Sequence, residues 1–249
     1  MTAKVRPTWW LVAAAFGLIA IAPRAQGQEP VDLELVLAVD TSGSVDAQEF
    51  ALQIHGIANA FRDAEVHAAL SAVGSRGIAV TLVQWAGRRQ QVVAVDWMIV
   101  KDERSASTFA SRVATTGRWI LGETAIADAL AYSTQLFQAN GFDAPRRTID
   151  ISGDGVTNSG IDPDVSRDAA VATGVTINGL AIVNETPDLD QYYRDHVVGG
   201  DGAFLMIAKN YQDFSDAIRR KLIDEIRGAP VSSAPSGAGL ASWDSTPGE

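Results

Sequence analysis

Leu35-Val36-Leu37-Ala38-Val39-Asp40-Thr41-Ser42-Gly43-Ser44 carries an apolar strand straight into the pattern Asp-x-Ser-x-Ser. A carboxylate and two hydroxyls at alternate positions of a tight loop can converge on one point, and Gly43 lets the backbone bend between them. Every donor is an oxygen, which suits a hard cation such as Mg²⁺, Ca²⁺ or Mn²⁺ rather than zinc or copper. Taken alone, the loop reads equally well as helix capping and turn formation, for which Asp and Ser are ordinary choices.

Two further pieces favour the cation. Thr148-Ile149-Asp150-Ile151-Ser152-Gly153-Asp154-Gly155 places a second carboxylate, Asp154, at the end of another predicted strand. If the two strands are neighbours, Asp40 and Asp154 face one crevice, outside the carboxyl ends of the strands, where open α/β sheets bind ligands. Gly122-Glu123-Thr124-Ala125-Ile126 offers the Thr124 hydroxyl at the start of a predicted helix. Glu123 beside it reads as an extra ligand or as a solvated loop carboxylate, the latter being the plainer choice.

Outward from these pieces, apolar runs of strand length alternate with segments of helical period, the pattern of a mostly parallel sheet covered by helices. Strands are predicted over 33–39, 78–85, 92–99, 148–152, 175–182 and 203–207. The second and third are joined only by Ala86 to Gln91, too short for a helical crossover. They must pair antiparallel, with the third at an edge. Phe50, Ile54, Ile57 and Phe61 mark a helix behind an Asp46–Glu49 capping box. Further helices are predicted over 124–139 and 211–226, the last after an Asn210 cap. The expected fold is α/β, Rossmann-like and doubly wound, with a six-stranded sheet, one antiparallel edge strand and helices on both faces.

The three oxygen-bearing pieces, in this order, resemble the metal ion-dependent adhesion site of the von Willebrand factor A (VWA) family, over about residues 32–227. That resemblance implies a single divalent cation, Mg²⁺ first and Mn²⁺ or Ca²⁺ as alternatives, held by Asp40, Ser42, Ser44, Thr124 and Asp154. The hydroxyls would touch it directly, and the carboxylates often act through water. The resemblance also implies a protein partner that presents an Asp or Glu carboxylate to the metal. More narrowly, the chain resembles an uncharacterised bacterial group, domain of unknown function 1194, through 39–44, 151–155 and 192–198.

The ends of the chain read differently from its middle. Lys4 and Arg6 precede an apolar run from Trp9 to Ala22, then Pro23 and the small residues up to Gly27. This is the layout of a cleavable signal peptide over 1–27, followed by a short linker over 28–31. A membrane anchor is the alternative, but the run is shorter than the roughly 20 residues a spanning helix needs. The expected location is exported, periplasmic or secreted. Residues 228–249, rich in Gly, Ser, Pro and Ala, read as a disordered tail, and Trp243 within it has no assigned role. The 249 residues suffice for one domain, and the absence of Cys leaves it without disulfides.

A formal charge of −10 without a basic stripe argues against a nucleic-acid partner. His55, His67 and His196 lack partners at metal-ligand spacing and read as surface or packing residues. Asp162, Asp164 and Asp168 lack the order of a calcium loop and read as a solvated helix start. The Tyr192, Tyr193 and His196 cluster reads as helix packing ahead of a ligand surface. No nucleophile elbow, phosphate loop or zinc-protease motif is present, so a binding module is expected rather than an enzyme. Two alternatives are kept: an assembly or remodelling subunit of VWA type, and a metal-assisted hydrolase.

Overall fold

The computed structural model describes residues 27–228. The signal-peptide reading of 1–27, apart from Gly27, and the tail reading beyond Gly228 lie outside these residues. The chain runs β1 (Glu29–Pro30), β2 (Leu33–Asp40), α1 (Ala47–Ala60), α2 (Ala64–Val73), β3 (Ile78–Trp85), β4 (Gln91–Val100), α3 (Glu103–Ala114) and α4 (Ile126–Gln135). It continues through β5 (Phe142–Asp143), β6 (Arg147–Gly153), α5 (Pro163–Ala172), β7 (Val175–Ile182), α6 (Leu189–His196), β8 (Leu205–Ala208) and α7 (Phe214–Arg227).

Six strands form one sheet in the order β4-β3-β2-β6-β7-β8, with β3 and β4 antiparallel and every other pair parallel. The expected architecture is the observed one. Chain order reverses between β2 and β6, so the crevice at their carboxyl ends is the switch point of the sheet. Val39 lies opposite Ser152 in that pairing, which brings the ends of the two strands side by side. A second, two-stranded sheet, β1 with β5, was not foreseen, because pairs of residues carry no readable period.

β2 is buried along its whole length because alternate residues enter two different cores. Leu33, Leu35, Leu37 and Val39 pack with Ile54, Ile57, Phe109 and Leu222 on the face covered by α1, α2, α3 and α7. Val36 and Ala38 pack with Ile126, Leu130 and Tyr193 on the face covered by α4, α5 and α6. The Asp46 capping box on α1 is formed as expected. Pro163 in the first turn of α5 follows Asp162, which starts that helix and is exposed to solvent.

Three elements start two or more residues later than the sequence reading, and α4 ends at Gln135 rather than Ala139. α4 begins at Ile126 rather than Thr124, since the Thr124 N–H donates to Asn158 Oδ1 (2.8 Å) and holds that residue in the loop. α7 begins at Phe214, because Asn210 Oδ1 accepts the Asp213 N–H (3.0 Å) and forms a turn ahead of the helix rather than its cap. The last strand starts at Leu205, two residues later than the predicted Ala203.

α7 is tied to the sheet by a buried charge cluster. Lys221 Nζ donates to Asp150 Oδ1 (2.8 Å) and Glu225 Oε1 (2.6 Å), and Asn178 donates to the same Glu225 oxygen (2.9 Å). Burial, then the charge of Asp150, push the Glu225 carboxyl well above the ordinary carboxylate range.

Candidate metal centre

The Asp40 loop turns sharply at the end of β2. Asp40 Oδ1 accepts the Ser42 N–H (2.7 Å), an Asx turn that aims the following hydroxyls back over the strand end. Thr41 is fixed to β3 through Trp85 O, and Gly43 N donates to Gly122 O (2.8 Å). Arg118 Nη2 donates to the carbonyls of Thr41 (2.8 Å) and Ser42 (2.7 Å), locking the loop from outside.

Four of the five expected ligands form one hydrogen-bonded chain. Ser42 Oγ and Ser44 Oγ are 3.2 Å apart, and Ser44 Oγ donates to Asp154 Oδ1 at 2.7 Å. Thr124 makes no hydrogen bond to these four, but it is buried nearby: a Cβ placed on Gly155 would lie 4.0 Å from Thr124 Oγ1. Glu123 is turned away, exposed, with its carboxylate accepting the Ser159 hydroxyl (2.7 Å). Among the described residues no group of three or more His, Cys, Asp or Glu could hold a metal. The donors here are two carboxylates with three hydroxyls.

The electrostatics of this arrangement are unbalanced. Asp40 and Asp154 are both buried, and Asp40 Oδ2 has no hydrogen-bond partner. Burial, then repulsion from Asp154, push the Asp40 carboxyl up to about 7. Asp154 accepts the Tyr211 hydroxyl at 2.9 Å on its second oxygen. Burial and the two carboxylates hold both Tyr193 and Tyr211 above the usual phenol range, so they stay neutral donors. Two buried carboxylates, one of them with an orphaned oxygen, and neutral hydroxyls alongside, are the surroundings a hard divalent cation fits.

Residues 30–230 match the family described as Protein of unknown function (DUF1194). The chain belongs to this family. No curated protein matches it in sequence. Among solved structures, the DUF1194 chain is similar to proximal thread matrix protein 1 from the mussel byssus, with a TM-score of 0.59 at 15% identity, covering 82% of this chain and 50% of that one. A second structure of the mussel protein has a zinc-occupied MIDAS motif (TM-score 0.55, 14% identity, 79% and 45% covered). The pilus adhesin SpaC from Lactobacillus rhamnosus GG gives 0.59 at 12% identity over 82% and 32%. A von Willebrand factor type A protein from Catenulispora acidiphila gives 0.54 at 16% over 79% and 43%. The DUF1194 chain thus spans half or less of these chains. At such identities the likeness establishes the VWA-like fold.

Three contributors to the DUF1194 site carried no sequence signal, and the signal of a fourth was divided between packing and a ligand surface. Tyr211 and Asn158 reach Asp154 and Thr124 from distant loops, and Arg118 sits alone in its segment. Tyr193, read as packing, is fully buried with its hydroxyl against the site: a Cβ on Gly153 would lie 2.6 Å from Tyr193 Oη and 2.8 Å from Asp40 Oδ2.

Proposed function

We propose that this DUF1194 protein is an exported module, periplasmic or secreted, that recognises a protein partner through one divalent cation, Mg²⁺ first. Asp40, Ser42, Ser44, Thr124 and Asp154 would hold the ion, and the orphaned, buried Asp40 Oδ2 beside a second buried carboxylate is the observation that carries the reading. When bound, the cation offers an electrophilic position to a partner's Asp or Glu carboxylate. The three hydroxyls contribute neutral oxygens and leave most of the cation's charge uncompensated, while Arg118 and Tyr211 keep the loop and Asp154 in place. The zinc-occupied motif of the mussel protein is a precedent on the same fold.

A role in binding rather than catalysis is supported by where the histidines are engaged. His67 Nε2 pairs with Phe61 O (2.9 Å) and His196 Nδ1 with Asp164 (2.8 Å), on α2 and α6. His55 is exposed on α1. Export is supported by the charge and apolar pattern of 1–27, and among the described residues no helix is long and apolar enough to cross a membrane.

Titration calorimetry with Mg²⁺ and Mn²⁺ tests the site. Asp40→Ala and Asp154→Ala are expected to abolish cation binding while circular dichroism shows a folded domain, since both carboxylates stand at the strand ends rather than in the apolar cores. Unchanged affinity in both variants would remove the assignment.

A further inference from the structure

β6 has two unlike faces. Ile149 and Ile151 enter the apolar core beneath α4, α5 and α6, whereas no residue of this interior strand joins the apolar core on the α7 side. Thr148 and Asp150 face that side instead, paired across the ladder with Thr176 and Asn178 of β7. Lys221 and Glu225 engage the upper pair. The lower pair opens on a cavity of about 440 Å³ between the amino ends of β6 and β7, the loop at 201–204 and the last turn of α7. It lies at the end of the strands opposite the candidate metal centre.

The walls of this cavity are held in place. Arg146 donates to the carbonyls of Glu225 (2.8 Å) and Ile226 (2.9 Å), the Thr176 hydroxyl to Asp201 O (3.1 Å), and the Phe204 N–H to Asn178 Oδ1 (3.1 Å). Gly200, at φ +100°, lets the loop press onto β7 so closely that a Cβ there would lie 2.9 Å from Val175 O. Several polar groups of the lining stay outside this framework. Among the described residues, the Thr148 hydroxyl and the Asp201 and Asp224 carboxylates make no hydrogen bond or ion pair, and Glu225, whose side chain is fully buried, has Oε2 unpartnered. Polar groups left without a partner carry a cost that a ligand can relieve.

Charge and size narrow the chemistry of that ligand. Arg146 and Arg147 stand against Asp201 and Asp224, with Lys221 against Asp150 beneath them. Glu225 adds little charge, because burial and then the charge of Asp150 favour its protonated form. A cation or an anion would upset this balance, and an apolar ligand would strand the free oxygens. Hydroxyl groups fit both, since they donate to carboxylates and accept from a guanidinium. The volume falls at the lower end of the roughly 300–1,000 Å³ of small-molecule sites. Phe204, with Lys221 Nζ 5.3 Å from its ring centre, adds an apolar wall.

We infer that this cavity binds a neutral polyhydroxylated molecule of monosaccharide size, whose hydroxyls pair with Asp201, Asp224, Thr148 and Arg147 and whose C–H groups rest against Phe204. The site is independent of the metal-dependent reading above.

Titration calorimetry of the purified chain with glucose, galactose, N-acetylglucosamine and mannitol, each in Mg²⁺ and in chelator, tests it. At least one of the four is expected to saturate with a Kd of about 1 mM or tighter, equally under both conditions. Asp201→Ala and Asp224→Ala, at the solvent-facing mouth, are each expected to weaken that binding about tenfold with the melting temperature unchanged, and Thr148→Val about fivefold. Glucosamine and glucuronate, each of which adds one charge, are expected to bind about tenfold more weakly than the best neutral probe. Nuclear Overhauser contacts from the bound probe to the Phe204 ring locate it without any substitution. No saturation by any of the four, binding that all three variants retain, tighter binding of either charged sugar, or no contact with Phe204 overturns the inference. Binding that disappears in chelator would put the probe at the metal crevice, and overturns it too.

Discussion

Asp40→Asn is expected to melt above the wild type in chelator at pH 8 and below it in saturating Mg²⁺. Without a cation the folded protein holds Asp40 beside Asp154, and the Asp40 carboxyl titrates at about 7 against 3.8 for an unperturbed one. The folded state therefore retains a proton that the unfolded chain releases, and stability falls as pH rises from about 4 to about 7. Below that window the buried carboxyl is neutral, and above it the penalty of burying its charge, then of repulsion from Asp154, is complete. A shift of this size, at about 1.4 kcal/mol per unit, corresponds to an upper bound of about 4 kcal/mol. Asparagine removes the charge and keeps the oxygen that accepts the Ser42 N–H. A gain of about 2 kcal/mol, or roughly 4–8 °C in Tm for a domain of this size, is the expected result in chelator. Mg²⁺ raises the wild type by mass action and leaves the variant where it was. Thermal melts at pH 5 and pH 8, with and without Mg²⁺, check the crossover. A variant less stable than the wild type under all four conditions contradicts it.

The second large effect is expected from Gly153→Ala set against Gly155→Ala. A Cβ at Gly153 meets Tyr193 Oη at 2.6 Å, Asp40 Oδ2 at 2.8 Å and Trp85 Cζ2 at 3.3 Å. None of the three can withdraw freely, because Trp85 and Tyr193 are fully buried and Asp40 is held by the Ser42 N–H. Overpacking there should cost about 2–3 kcal/mol and pull the Asp40 carboxylate away from the site. At Gly155 the nearest atom to a Cβ is Thr124 Oγ1 at 4.0 Å, so the same substitution is expected to change stability by less than about 0.5 kcal/mol. Denaturant unfolding of the two variants reads the difference. Equal losses would mean that the crowding at Gly153 relaxes without consequence.

The contrast between those two glycines shows what was legible in the sequence. Both flank Asp154 in one short motif, and nothing in their spacing separates the crowded one from the open one. Strands such as 33–39, 78–85 and 175–182 were readable because apolar runs of that length, bounded by turns, have few other uses. The antiparallel edge followed from the length of one connection. Asp40, Ser42 and Ser44 were readable because they share a loop, and Asp154 because it ends a strand in the same way. Tyr211, Asn158 and Arg118 were not, since each reaches the site across 34 to 77 residues of chain through only one or two hydrogen bonds. Thr124 was placed on a helix because the apolar period begins there. Asn158, captured from another loop, decides otherwise.

Anomalous diffraction from a crystal soaked in Mn²⁺ tests the central claim most directly. The account predicts one strong peak at the carboxyl ends of β2 and β6, contacted by Ser42, Ser44 and Thr124, with Asp40 and Asp154 bound to it directly or through water, and its loss in Asp154→Ala. A saturated crystal with no peak at that crevice, or with its only peak elsewhere, would contradict the assignment of Asp40, Ser42, Ser44, Thr124 and Asp154 as a metal centre.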